Sequence, residues 1–203
     1  PNLAEALVYY SHLLCYLNRL DEALELAERA VQLDPLNSII LTISGVTFGY
    51  AGRYDEAIER HLEALRTSPN DPVAHNSLWE TYYKVGMYEK SLESAKAFFR
   101  GLGFNEIADA MAQGYEEDGY PGAMNSAAEI METFAKQTYF SPAFVAMIYA
   151  LAGDREKTIE WLEMGYEVGD PNMPYAGGFV FFDLLAEDPR YQDLLQRMNL
   201  PNY

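Results

Sequence analysis

The residues of this chain whose types could do chemistry are His12, His61, His75, Cys15 and an acidic run, Glu116, Glu117 and Asp118. A helical zinc site would place two histidines four apart with a glutamate beside the first. No HExxH occurs, and no Cys/His cluster has metal-ligand spacing. No GxGxxG or GxxxxGK[ST] turn is present to cradle a phosphate. The acidic run has the charge to hold a hard cation but lacks the alternating oxygen ligands of a calcium loop, so it reads as a solvated helix end. Cys15 lies in mostly apolar, helical surroundings, which predicts a buried thiol rather than a nucleophile. As the single cysteine it has no disulfide partner in the chain and leaves the redox compartment open. The expectation is a protein that is not an enzyme, with no cofactor and no metal.

The elements that must position these residues follow from composition and period. The 203 residues are 49% hydrophobic, ample for a packed core. No run of eighteen apolar residues and no signal-peptide pattern occurs, so neither a membrane span nor a leader is expected. The opening Pro1, in place of methionine, suggests a trimmed piece of a larger protein. Net charge is -17, with residues 1–103 at -5 and residues 104–203 at -12. That field repels phosphate backbones and anionic lipid, so neither nucleic acid nor membrane insertion is expected. A partner touching the second half should be basic, unless the acidic surface serves only solubility.

A 34-residue period runs through the chain. Ala23, Ala57 and Ser91 are 34 apart, as are Ala30, Ala64 and Phe98, and Pro35 and Pro69. The turn positions Asn18, Gly52, Gly86, Gly119 and Gly153 follow at nearly the same interval and are residue types that accept a left-handed helix end. Five units fit, near 4–37, 38–71, 72–104, 105–138 and 139–171. Each carries two stretches with apolar residues at three and four, such as Leu24, Ala27, Ala30, Val31 or Ile58, Leu62, Leu65. Acidic residues open the second helix, as at Asp21-Glu22 and Asp55-Glu56, and DPLN and SPND divide the units. Small residues let paired helices approach, while Leu7, Tyr10, Leu41, Phe48, Leu78, Tyr82 and Tyr149 fill the space beside them. One pair cannot bury its apolar face alone, so stacked pairs are predicted: an all-α solenoid forming one domain over 1–203. The period fails in PNMPYAGG, a loop. Residues 179–198 then read as a capping element, with Phe179, Phe181 and Phe182 as packing residues rather than a partner site.

These positions resemble the tetratricopeptide repeat (TPR) family over about residues 4–171. The second unit matches best, with Leu41, Gly45, Phe48, Gly52, Tyr54, Ala57, Ala64 and Pro69; the fourth, with its turn DGYPG, is degenerate and one residue short. The resemblance implies a right-handed α-α superhelix of about five antiparallel pairs plus a C-terminal capping helix. It also implies a protein-protein interaction module that docks a peptide or partner domain in a concave groove. His61 falls at a packed aromatic position of the pattern and is expected to be a satisfied interhelical histidine.

A second resemblance, carried by Tyr115, Gly119, Tyr120, Ile148, Tyr149, Ala150, Gly153, Asp154, Trp161, Leu162, Asp188, Pro189, Arg190, Leu194 and Leu195, is to the C-terminal repeat segment of large bacterial signalling proteins. There a winged-helix, cyclase or kinase module comes first. It implies the scaffolding or sensory tail of a regulator, in the cytoplasm or, if membrane-anchored, the periplasm. The compartment itself is unknown from the sequence.

In such arrays the first helix of each pair lines the groove, at positions two, five, nine, twelve and thirteen of the unit. The candidate partner-binding residues are therefore Val8, His12 and Tyr16; Thr42, Val46 and Tyr50; Asn76, Glu80 and Tyr83; and Asp109, Gln113 and Glu116. The N-terminal part of that face is apolar and aromatic, the middle acidic. Where relatives that grip a chaperone's C-terminal carboxylate carry a Lys/Asn/Lys/Arg set, this chain has Val8, His12, Ile43, Val73 and Ser77, so no carboxylate clamp is expected. The predicted ligand has apolar anchors for Tyr16, Tyr50 and Tyr83 and basic residues for Asp109, Glu116 and Glu117. The alternative is a homo-oligomer, with the first pair or the aromatic tail packing on a copy of itself.

Overall fold

The computed structural model describes residues 3–176 and 180–200. All regular structure among them is helical, in antiparallel pairs that follow one another along the chain, a TPR-like helical repeat. The chain divides into two compact units, Pro1–Asn105 and Glu106–Tyr203.

The first unit holds three pairs: α1 (Leu3–Tyr16) with α2 (Leu20–Leu33), α3 (Ser38–Tyr50) with α4 (Tyr54–Thr67), and α5 (Pro72–Lys84) with α6 (Tyr88–Gly101). Each pair turns at the residue the period selects, with φ of 54° at Asn18, 73° at Gly52 and 75° at Gly86. That left-handed residue lets the following amide reach back to a carbonyl of the last helical turn. The bonds are Arg19 N to Leu14 O, Arg53 N to Phe48 O and Met87 N to Tyr82 O, each 2.9 Å. Between pairs, Asn37 and Asp71 cap the next helix, Asn37 Oδ1 accepting from Ile39 N at 3.1 Å and Asp71 Oδ1 from Val73 N at 2.9 Å. Pro72 then occupies the first turn, where no amide is missed.

Close approach depends on the small residues. Ala23, Ala27, Ala30, Ala57, Ala64, Ser91 and Ala95 are all buried. Ser91 is accommodated because its hydroxyl donates to the Trp79 carbonyl at 3.0 Å. Around this spine Val8, Val31, Ile40 and Leu41 pack with Leu7, Ile43 and Leu65. Each fully buried aliphatic side chain contributes about 1.5–3 kcal/mol.

Two expectations are corrected here. His61 is buried between α3 and α4 as predicted, but neither ring nitrogen has a hydrogen-bond partner among the described residues. The ring fills the space left by Gly45, where an added Cβ would lie 2.5 Å from His61 Cε1. Burial drives its pKa down to about 4. Tyr10, expected as a packing residue, is exposed, because among the described residues no helix pair lies before α1 to cover it.

The second unit begins with α7 (Asn105–Ala135), which is bent at Asp118 and Gly119. Gly119 has φ 62°, and Pro121 opens the second half. The degenerate fourth repeat is thus a helix pair without a connecting loop, consistent with its missing residue. The two halves meet backbone to backbone: a Cβ on Gly114 would lie 2.3 Å from the Gly122 carbonyl oxygen. α8 (Pro142–Ala152) and α9 (Arg155–Val168) form the last pair, turning at Gly153 with φ 82°. Glu132 ties α7 to them by accepting from Tyr149 Oη at 2.7 Å, Lys157 Nζ at 3.1 Å and Trp161 Nε1 at 3.2 Å. Buried Asp170 caps α8, accepting from Ser141 Oγ at 2.7 Å and Ala143 N at 2.9 Å. These donors hold its carboxyl below the usual range against the opposing effect of burial.

Short 3₁₀ turns at Met173–Tyr175 and Val180–Leu185 lead to α10 (Pro189–Arg197), which packs on α9. Arg190 bridges to Glu156 at 2.7 and 2.8 Å, and Arg197 to Glu163. Phe181 and Phe182 are buried, while Phe179 lies outside the described residues.

Candidate partner-binding site

In the first unit the first helices of the three pairs, α1, α3 and α5, pack as neighbours, and the C-terminal turns of α1 and α3 bring His12, Tyr16 and Tyr50 together. Ring centroids are 5.1 Å apart for His12–Tyr16, 5.6 Å for Tyr16–Tyr50 and 6.3 Å for His12–Tyr50. The last two contacts are edge-on, a favoured arrangement for aromatic quadrupoles. Tyr16 is 53% and Tyr50 45% exposed, so the cluster faces outward rather than filling the core. Val46, one turn before Tyr50 on α3, is half-buried. Partial burial lowers the His12 pKa, favouring the neutral ring. Burial first, then the neighbouring Tyr16, Cys15 and Glu80, push the Tyr50 hydroxyl well above its ordinary value, so it stays protonated.

Glu80 lies on α5, the first helix of the third pair, and its charge adds to the upward push on the Tyr50 hydroxyl. Its residue is only partly exposed, and its one hydrogen bond to a described residue is from Asn76 Nδ2 at 2.9 Å, one helical turn away. Desolvation pushes its pKa up, opposed by the Asn76 donor and by Lys84, which forms no ion pair with it. Tyr83 packs edge-on against Tyr88 of α6, centroids 5.8 Å apart.

Two predicted residues have no surface to offer. Val8 and Thr42 are buried, Val8 against Ala30, Val31, Ile40 and Leu41. On α1 and α3 the fifth position of the unit faces the seam between successive pairs rather than the open side. Thr42 Oγ1 has no hydrogen-bond partner among the described residues. In the second unit Asp109, Gln113 and Glu116 are exposed along the first half of α7, and Gln113 Nε2 donates to Glu117 Oε1 at 3.2 Å. The Cys15 thiol is buried, with its proton toward the Ser11 carbonyl at 3.4 Å, and its pKa is raised by that burial.

Sequence reasoning missed two features. The first is an apolar stripe on α1, with Leu3 58%, Tyr10 47%, Leu13 52% and Leu17, just past its end, 57% exposed. Of these, spacing assigns Tyr10 to the core, and the first pair is offered for self-association without naming the residues that would carry it. The second is an open groove of about 450 Å³ between α4, α5 and α6, lined by Leu62, Leu65, His75, Leu78, Tyr82 and Lys90. The half-exposed Leu62 faces it, a position that periodicity cannot distinguish from core.

Among the described residues no three of His, Cys, Asp or Glu gather as metal ligands, and no helix is long and apolar enough to cross a membrane. No family model matches the chain, and no curated protein does. A solved structure described as "Structure of Naa15/Naa10 bound to HypK-THB" is similar at 19% identity and a TM-score of 0.45. The similarity covers 99% of this chain and 34% of that one, so this chain spans about a third of the neighbour's length.

Proposed function

We propose that the protein is a non-enzymatic interaction module and that the inner face of its first unit docks a peptide or partner segment. The observation that carries this reading is the clustering of His12 with the half-exposed rings of Tyr16 and Tyr50. Large amphipathic rings with little conformational freedom to lose suit a binding surface. Peptides selected from a random display library against the whole chain test it. Tyr50→Ala should weaken the selected peptides about tenfold or more, the effect of a moderate hot spot. Selected peptides indifferent to Tyr50→Ala and to Val46→Arg would place docking elsewhere. The acidic positions are tested by reversing Glu80, Asp109 and Glu116 to lysine. Unchanged recovery of a partner rules them out of the docking site.

A specific observation also favours self-association. One repeat after Ala6, Tyr10 and Leu13 stand Ile40, Ser44 and Thr47, all buried, with α2 packed against α3. The same face of α1 is open. In a homodimer a second copy covers this stripe, and Leu13→Glu with Leu17→Glu then returns the protein to monomer in sedimentation velocity. A wild-type monomer at high concentration removes the idea.

The likeness of residues 115–195 to the repeat tails of bacterial signalling proteins supports a place as the scaffolding or sensory part of a larger regulatory chain. A winged-helix, cyclase or kinase module in the same reading frame is the observation to seek.

A further inference from the structure

We propose that the protein forms a closed homodimer in which α1 lies antiparallel to α1 of a second copy, packed along its open stripe. This rests on the self-association reading and names the contact that carries it. Leu3, Ala6, Tyr10, Leu13 and Leu17 follow one another at three and four residues, the spacing of a two-stranded seam, so they keep to one line along the helix. All five are exposed. The same line on α3 and α5 is built differently. There the second helix of the preceding pair packs on Ser44 and Thr47, or on Leu78 and Thr81, and both threonine hydroxyls turn back to their own helix, donating to Ile43 O at 3.0 Å and Ser77 O at 2.7 Å. Tyr10 and Leu13 stand at the corresponding positions of the first repeat. α1 thus offers a bulkier and more apolar edge than the small side chains that admit a close neighbour within the array.

Size, charge and shape select a second copy as the cover. Leu3, Tyr9, Tyr10, Leu13 and Leu17 are each about half exposed, and a half-exposed side chain of this size offers about 100 Å². Two copies together then bury about 1,000 Å², the lower bound for a specific interface. In a chain with a net charge of -17, α1 carries one charged residue, Glu5, which helical spacing places off the stripe, so two copies meet there with no like charges facing. Two stripes running in the same direction would set Ala6 against Ala6 and Tyr10 against Tyr10, a gap beside a crowded layer. Reversed, each Ala6 faces a large side chain of the other copy, and large and small alternate along the seam. The two helix dipoles then also oppose each other. The last helix, α10, exposes Asp193 and Gln196, and burying these on the α1 stripe of another copy would cost free energy. Head-to-tail chaining is therefore disfavoured, and the dimer closes on a twofold axis.

Sedimentation velocity of the whole chain should show a dimer that grows no further as concentration rises. Ala6→Arg, at a residue exposed in the single copy, should raise the dissociation constant about tenfold or more while circular dichroism shows the helices intact. Orientation is read from spin labels on Arg19→Cys in a Cys15→Ser background. At a rise of about 1.5 Å per residue, the antiparallel pair places the two labels about 20–30 Å apart, against about 10 Å in a parallel pair. A wild-type monomer at high concentration overturns the proposal together with the self-association reading. A dimer indifferent to Ala6→Arg, labels about 10 Å apart, or growth beyond the dimer overturns the antiparallel α1 contact and leaves self-association standing through another arrangement.

Discussion

His61 shows what a single residue can carry without a role in binding. Its folded pKa of about 4 lies below the unfolded value near 6.5, so between those pH values the unfolded chain takes up a proton that the folded one refuses. Stability contributed by the neutral ring is intact above about pH 6.5 and is lost as pH falls toward 4. The full loss is about 3 kcal/mol at about 1.4 kcal/mol per pKa unit. Urea unfolding at pH 7 and pH 5 should show this fall in wild type and a shallower one in His61→Phe. An equal pH dependence in both would mean that other groups are responsible. Gly45→Ala drives a methyl into the same ring and should cost about 1–3 kcal/mol, with most of the cost removed in the Gly45→Ala, His61→Ala pair relative to His61→Ala alone.

At the scale of elements, the turns and crossings are the sensitive points. Gly52 has φ 73° with open space around its Cβ position, so Gly52→Val strains the backbone without a clash and should destabilise by about 1 kcal/mol or more. No loss in thermal unfolding would contradict the left-handed turn. In the fourth pair Gly122→Ala meets the Gly114 carbonyl oxygen at 2.4 Å, a backbone atom that cannot rotate away. It should cost about 1–3 kcal/mol, with the α7 bend losing amide protection first in hydrogen exchange. Glu132→Ala strands the buried Tyr149 hydroxyl and the Trp161 ring N–H and should cost about 2 kcal/mol, the scale of hydrogen bonds to a charged group.

For the whole molecule, charge is the general property a partner meets. With residues 104–203 at -12, basic partners should associate faster at low ionic strength, and the association rate should fall as salt rises past physiological concentration. Stopped-flow rates for a basic selected peptide, measured from 50 to 500 mM salt, check this. A rate independent of salt would make the acidic surface a matter of solubility alone.

The sequence by itself determined the helix pairs, because left-handed turns, small crossing residues and capping side chains are local requirements that repeat every 34 residues. Asn18, Gly52, Gly86, Gly119 and Gly153 were each legible as turns, and all five have positive φ. Part of the candidate site was legible in the same way, since His12, Tyr16, Val46, Tyr50 and Glu80 lie on inner helices at predictable intervals. Exposure was not legible. Val8 and Tyr10 both occupy apolar positions of one amphipathic helix, and only the tertiary structure shows that a neighbouring pair covers Val8 while Tyr10 remains open. Partnership was hidden for the same reason: that Glu80 has one donor and His61 has none depends on which side chains distant segments bring within about 3 Å. Period specifies the neighbours of a backbone, whereas the polar partners of a side chain come from packing across segments far apart in sequence.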